Sequence, residues 1–155
     1  MNPNTLLDEL KIELGTLFSG YLLKNSEGKD VTPTDYLYDL PRRSAKSTIT
    51  SLAPYRLIFP TDGNIQDPTA PYDVKIAIGI VVWNGYDDQN GDRDVMHQIN
   101  VIMDRFLKNP ALKTSSVKFP INWSVNSEIE TGQFAVGAIE ITFELPKEER
   151  EDLLT

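Results

Sequence analysis

Cysteine is absent from this chain of 155 residues, and histidine occurs once, as His97. The lack of cysteine excludes disulfides, thiol catalysis and cysteine metal sites, and it fits assembly inside a cell. With a single histidine, a zinc site would need carboxylates for nearly all its ligands, which is unusual. We therefore expect no metal and no cofactor.

Long apolar runs and positive charge are also scarce. No apolar run approaches the roughly 20 residues that a membrane helix needs. The start of the chain has no basic region followed by an apolar run, so we expect no secretory signal. The 15 Lys and Arg residues are outnumbered by 23 Asp and Glu residues, and the formal net charge is -8. Such a chain is a poor candidate for gripping nucleic-acid phosphates, but it can lie near DNA without sticking to it.

Motifs of common catalytic sites are missing as well. There is no Gly-x-x-x-x-Gly-Lys-Ser/Thr phosphate loop, no Gly-x-Gly-x-x-Gly turn and no Gly-x-Ser-x-Gly elbow. The loop from Asp87 to Asp92 fails the calcium-loop pattern, because Gly91 at position six would put Tyr86 and His97 at positions that need acidic ligands. We expect a strand-to-helix turn there and no catalytic residue in the chain.

An acid and base pair of carboxylates is the catalytic alternative that the composition leaves open. The glutamates that could form such a pair are Glu128, Glu130, Glu140 and Glu144. Glu140 and Glu144 fall on the predicted solvent face of a strand, so the sequence favours an ordinary solvated surface over a small carboxylate-dependent hydrolase.

The strongest structural pattern lies between Val74 and Lys108. Alternate residues from Val74 to Val82 are apolar and the other face is mostly small or apolar, which predicts a central strand covered on both sides. A helix from about Asp92 to Lys108 follows, and its apolar stripe predicts that it packs on this strand. The stripe consists of Val95, Ile99, Ile102 and Phe106.

Four further elements are predicted around this pair. A first helix, capped by Asn4 or Thr5, runs to about Leu23. A short strand covers Tyr55–Phe59, with a turn at residues 61–64 after it. Two more strands alternate in polarity, at Phe119–Val125 and from Phe134 to Leu145. The order helix, strand, strand, helix, strand, strand implies an α+β fold, with a mainly antiparallel sheet and two principal helices packed on it.

The length predicts a single domain over residues 1–155. We divide it into an N-terminal helix (1–25), an irregular segment (26–54), an α+β core (55–146) and a charged tail (147–155). The irregular segment carries the only basic cluster of the sequence, which consists of Arg42, Arg43 and Lys46. This cluster is either part of a solvated loop or a contact with an acidic surface of another subunit.

A set of short segments, in a fixed order and spacing, gives the chain a family resemblance. They are Pro54-Tyr-Arg-Leu-Ile-Phe-Pro-Thr-Asp-Gly63, Val74-Lys-Ile-Ala-Ile-Gly-Ile80, Tyr86-Asp-Asp88, Gly91-Asp-Arg-Asp-Val95, the Ile99–Leu107 helix, the Trp123 strand and Gly137-Ala-Ile-Glu-Ile-Thr-Phe-Glu-Leu-Pro146. Over roughly residues 54–146, the chain resembles the tail terminator (tail completion) proteins of tailed bacteriophages.

The resemblance implies a structural virion protein and no enzyme. It implies a homo-oligomer, a ring of six subunits that caps the tail tube and joins it to the head-side connector or head completion protein. Genomic DNA would pass through the ring without sequence-specific binding, and no membrane would be involved. Localisation would be the neck region of the virion tail, after assembly in the host cytoplasm. Another neck or tail-tube component is the alternative within the same class.

A subunit interface is predicted around the segment between the last two strands. These strands are long enough to extend beyond a small core as an arm, and exposed strand edges are templates for a strand of another chain. A head-to-tail contact of that kind can close into a ring. The acidic tip of the arm would meet the basic cluster of the next subunit, although a mobile surface turn is the alternative. The candidate interface residues are Arg42, Arg43, Lys46, Glu128, Ile129, Glu130 and Phe134.

Overall fold

The computed structural model describes residues 2–41, 52–84, 91–126 and 134–146. Within these residues the chain forms helices and strands that are numbered here in chain order. The elements are α1 (Pro3–Leu17), β1 (Leu23–Lys24), β2 (Asp30–Val31), β3 (Thr34–Leu37), β4 (Tyr55–Asn64), β5 (Tyr72–Trp83), α2 (Gly91–Lys108), β6 (Ser116–Asn126) and β7 (Phe134–Leu145).

The main sheet has five strands in the order β3-β4-β5-β7-β6. β3 runs parallel to β4, and the other neighbouring pairs are antiparallel. β1 and β2 form a separate two-stranded sheet. The chain is therefore an α+β protein with two helices and mostly antiparallel sheets, as predicted. The predicted element order is wrong, because three short strands precede β4.

The predicted helix and central strand are both confirmed. β5 is the middle strand of the main sheet, and the stripe of α2 that the sequence identified is fully buried in the same core. Phe106 packs edge to face on Phe143 of β7, with ring centroids 5.6 Å apart. A Cβ at Gly137 would overlap Cγ1 of Val95, so the glycine lets α2 lie close on β7.

Both helices lie on one face of the sheet. Buried leucines of α1 and the stripe of α2 share one core cluster with alternate residues of β5, from Val74 to Val82. The opposite side of β5 is only partly buried at Lys75, Gly79, Val81 and Trp83. The prediction that β5 is covered on both sides is therefore wrong, because α1 and α2 both pack against the other face.

The first helix starts and ends earlier than predicted. Asn2, rather than Asn4 or Thr5, is the N-cap, and its Oδ1 accepts a hydrogen bond of 3.1 Å from the backbone N–H of Thr5. Pro3 occupies the first turn, where its missing N–H has no helical partner to lose. The helix ends at Leu17, and Gly20 then adopts a φ of 78°, which is a left-handed conformation that glycine accepts at little cost.

Several segments that the sequence assigned to irregular structure or turns belong to strands, and β2 is one of them, since it lies inside the segment 26–54. β3 falls inside the segment 26–54 and pairs with β4 from Thr34↔Tyr55 to Leu37↔Ile58. β4 continues past Pro60 to Asn64, so the turn predicted at residues 61–64 is also wrong. An irregularity between Pro60 and Asp62 accommodates the proline, and β5 supplies pairing partners beyond it.

Neither α1 nor α2, the helices of the described residues, is long and apolar enough to span a membrane.

Candidate subunit interface

Most of the predicted interface residues lie outside the described residues. These are Arg42, Arg43, Lys46, Glu128, Ile129 and Glu130. Phe134 is the predicted interface residue that the structure describes, and it is the first residue of β7. It lies opposite Trp83 of β5, and the two half-buried rings meet edge to face at 5.2 Å between centroids.

β7 does not extend from the core as part of a free arm. β5 pairs with it along its whole length, from Tyr72↔Leu145 to Trp83↔Phe134, and β6 pairs with it on the other side. Ala135 is still buried at the end that leads toward residues 127–133. The prediction of a two-stranded arm is therefore wrong for the described part of β6 and β7. The tip itself lies outside the described residues.

β6 is an edge strand of the sheet and carries exposed aromatic side chains. Phe119 is 51% exposed and Trp123 is 49% exposed, although the sequence predicted that both would be half-buried on one face. The register to β7 shifts between Lys118 and Asn122, and Phe119 falls inside that irregular stretch. Trp123 lies on the same sheet face as the helices, opposite Ile139. The outer side of β6 has no paired strand within the described sheet. Its start is covered in part, since Ser116 forms a bridge with Ala111 and the backbone N–H of Val117 donates to the carbonyl oxygen of Pro110, at 2.8 Å.

The sheet face turned away from the helices has an apolar centre that spans β3, β4, β5 and β7. We call this centre the open face. Its residues are paired across neighbouring strands, and examples of such pairs are Leu57↔Gly79, Phe59↔Ala77 and Val81↔Val136. All are half-buried except Ala77 and Tyr55, which are buried. The open face consists of Tyr36, Tyr55, Leu57, Phe59, Ala77, Gly79, Val81, Val136 and Ala138.

Charged residues border one end of the open face. Lys118 donates a hydrogen bond of 2.8 Å from Nζ to Oδ2 of Asp73. This hydrogen bond and the charge of Asp73 raise the pKa of Lys118 above its ordinary value. Lys75 and Glu140 lie nearer the apolar residues, on neighbouring strands and on the same face, since Lys75 pairs with Thr142 and Glu140 pairs with Ala77.

A buried charged cluster lies on the helix face, and the sequence reasoning missed it. Arg56 is 1% exposed, and its Nε and Nη2 donate to the two carboxylate oxygens of Asp35, at 2.6 and 3.0 Å. Nη1 donates to Oε1 of the fully buried Gln98, at 3.0 Å, and the guanidinium carbon lies 4.2 Å from the ring centroid of Phe18. One sign of this cluster was present in the sequence. Arg56 lies two residues before the apolar Ile58 on the same strand, so the two side chains fall on the same face of the sheet.

The cluster joins four elements that are far apart in sequence. Asp35 belongs to β3, Arg56 to β4 and Gln98 to α2, while Phe18 caps the C-terminal end of α1. A bidentate pair between arginine and a carboxylate fixes geometry as well as charge. The cluster therefore fastens β3, which has only four residues, to the sheet and to both helices.

Tyr21 and His97 form a neighbouring pair of rings, 5.5 Å apart between centroids. Burial raises the pKa of Tyr21 from 10.0 to about 12, with the charge of Asp94 adding to the rise and that of Arg56 opposing it. His97 is exposed on α2, away from the buried stripe, as the sequence predicted.

No three His, Cys, Asp or Glu side chains gather into a group that could hold a metal ion, among the residues that the structure describes. Of the loop from Asp87 to Asp92, only Gly91 and Asp92 are described, and they belong to the first turn of α2. Gly91 donates its backbone N–H to Oδ1 of Asn84, at 2.9 Å. This hydrogen bond ties the start of α2 to the end of β5.

Comparisons with known proteins add no assignment to these surfaces. No protein-family model matches the chain, and no curated protein matches it.

Proposed function

We propose that the chain is a structural subunit of a bacteriophage tail, a terminator that assembles into a ring on the end of the tail tube. The ring would contain six copies and would join the tube to the head-side connector, as the family resemblance implies. The observation that carries this proposal is the edge of β6, which presents exposed aromatic side chains on a strand of 11 residues.

A long exposed edge favours pairing with another chain. Its outer backbone N–H and C=O groups can receive a further strand, and proteins usually protect such edges with charges, prolines, bulges or a short strand. β6 has Pro120 and an irregular stretch between Lys118 and Asn122, so a further strand would pair with the regular stretch from Asn122 to Asn126. From Phe119 to Val125, β6 carries no charged side chain and two exposed aromatic rings. The outer edge of β6 in one copy and a different surface of the next would give a head-to-tail contact, which closes into a ring when the rotation per subunit permits.

The predicted contact between the segment Ser127–Thr131 and the basic cluster at residues 42–46 is part of this proposal. Both segments lie outside the described residues. The first segment directly follows β6, so a neighbour that pairs with the edge of β6 would also meet its acidic residues. Such an ion pair would weaken as salt rises, because it would be exposed to solvent.

The test is electron microscopy of the negatively stained protein, alone and mixed with the tail-tube subunit. We expect rings alone, and tubes capped at one end in the mixture. Trp123→Ser should abolish rings while the protein remains folded. The matched control is Leu107→Ser, because Leu107 is 63% exposed but belongs to α2 and not to β6.

Deletion of Ser127–Thr131 provides an independent second variant. It should leave a folded protein that forms no rings and fails to stop tubes at their proper length in an infection complementation assay. Rings and normal termination by both this deletion and Trp123→Ser would refute the proposal that the edge of β6 and its adjoining segment form the interface.

A further inference from the structure

The open face has the wrong polarity for a sheet surface in contact with water. An antiparallel sheet with one solvated face normally alternates apolar residues inward with polar residues outward. On β5 and β7 the outward positions from Ala77 to Val81 and from Val136 to Ala138 are all apolar. The next outward positions are polar, namely Lys75 on β5 and Glu140 on β7, and so are Asn122 and Ser124 of β6 beside them. A partner that covers the apolar centre would remove this apolar surface from water.

Two charges of opposite sign, Lys75 and Glu140, lie at the border of the open face. Lys75 and Glu140 lie on adjacent strands and differ by two positions in register. Neither side chain forms an ion pair or hydrogen bond with another described residue. Such a surface, with one charge of each sign beside an apolar centre, can be complementary to a second copy of itself. A twofold axis between two copies can place the positive charge of each copy opposite the negative charge of the other, with the two apolar centres in contact.

We infer that the open face binds the open face of a second copy of this chain, with Lys75 of each copy opposite Glu140 of the other. Strand spacing and rise give the apolar centre dimensions of roughly 15 by 15 Å. That area is smaller than the ~800 Å² per partner of a standard interface. The charged rim must therefore contribute, and we expect a dimer that depends on protein concentration.

This contact is independent of the proposed ring, since it uses the face of the sheet and not its edge. Its test is sedimentation equilibrium over a concentration series, with the wild type and with Trp123→Ser, in which edge pairing is removed. Lys75→Glu and Glu140→Lys should each weaken dimerisation by about tenfold or more, because each variant places like charges opposite one another twice. Lys11→Glu is the control, as an exposed charge reversal on α1.

Mixing the two variants gives the sharpest outcome. Each variant alone repels itself, but a pair formed by one Lys75→Glu copy and one Glu140→Lys copy has attractive contacts on both sides. With both charge reversals placed in the Trp123→Ser variant, so that edge pairing is removed, we expect dimers in the mixture and monomers in the separate samples, with thermal melts confirming that all variants are folded.

Three results would overturn the inference. The first is a wild type and a Trp123→Ser variant that both stay monomeric at every concentration, as expected if another part of the chain or a different protein covers the open face. The second is a dimer that neither charge reversal weakens, which would place the contact elsewhere. The third is a mixture that forms no more dimer than its components. Loss of rings by Trp123→Ser would bear on the proposed function alone.

Discussion

Replacing Asp35 with alanine should destabilise this protein more than any surface ion-pair change. The Asp35 side chain is 8% exposed and that of Arg56 is 1% exposed. The substitution would remove both acceptors of the bidentate pair and leave a buried guanidinium with the oxygen of Gln98 as its remaining hydrogen-bond acceptor among the described contacts. A buried charge that loses its partner cannot recover the hydration that folding removed.

The size of the effect follows from this uncompensated charge. Removal of one member of a buried pair costs ~3–5 kcal/mol of unfolding free energy. For a domain of this length, each kcal/mol lowers the melting temperature by about 2–4 °C, so the expected loss is roughly 6–20 °C. Replacing both partners, as Arg56→Met with Asp35→Leu, should recover most of the loss, because no unpaired charge remains.

Urea denaturation and thermal melting of the wild type, Asp35→Ala and the double variant measure these differences in the free energy of unfolding. The control is Asp30→Ala, which breaks the ion pair of Asp30 with Lys24, where both side chains are more than half exposed. That pair should contribute at most about 1 kcal/mol. If Asp35→Ala were no more destabilising than Asp30→Ala, or if the double variant were less stable than the single one, the account of the cluster would be refuted.

Three further predictions concern the core, the loop before α2 and the half-buried phenol of Tyr21. Ile99→Ala should cost ~2–5 kcal/mol in denaturation experiments, since Ile99 is fully buried, whereas Leu107→Ala on the same helix should cost little. A chelator should leave the melting temperature unchanged; a loss of several degrees that calcium restores would reveal a cation site in the loop Asp87–Asp92. Phenolate absorbance should show Tyr21 ionising near pH 12, a step absent from Tyr21→Phe. Because the folded protein holds this proton more tightly, the associated stability is present below pH 10 and is lost as the pH rises toward 12.

The parts of the fold that the sequence predicts well are those whose pattern is local. β7 alternates apolar and polar residues from Ile139 to Leu145, and α2 repeats its apolar residues with the period of a helix, so each pattern indicates which face is buried. Prolines mark the ends of two elements. β7 ends at Leu145, directly before Pro146, and α2 ends at Lys108, because Asn109 precedes Pro110 and a residue before proline is disfavoured in a helix. These signals need no knowledge of the rest of the chain.

β3 could not be predicted because its stability comes from distant residues. It has four residues, one of which is Asp35, and its partner Arg56 is 21 positions away in sequence, while Gln98 is 42 positions from Arg56. Short strands with charged residues look like loops when only their own sequence is considered. The same limitation hid the buried cluster, although Arg56 in phase with Ile58 was a visible sign.

The candidate interface shows a different limit. Alternation tells which residues of β6 share a face, but it does not tell that β6 is at the edge of the sheet, where Phe119 and Trp123 stay exposed. The open face was likewise mistaken for a covered one, because apolar residues on both sides of β5 resemble a strand buried between two layers. Strand order decides both questions, and strand order is set by long-range pairing.

The edge of β6 and the open face extend an assembly in different directions, and this separates their roles. Strand addition at the edge continues the sheet in its own plane, with neighbours about 4.8 Å apart, whereas contact between two open faces stacks sheets about 10 Å apart. Neither contact needs the other, because Trp123 lies on the helix side of β6 and Lys75 and Glu140 lie on the opposite side. A protein that used both could close a ring through its edges and pair with a second copy through its faces. Trp123→Ser should then reduce the assembly to face-to-face dimers, and Lys75→Glu should leave single rings. If either variant reduced the protein to monomers, the two contacts would be coupled and the assignment of separate roles would be wrong.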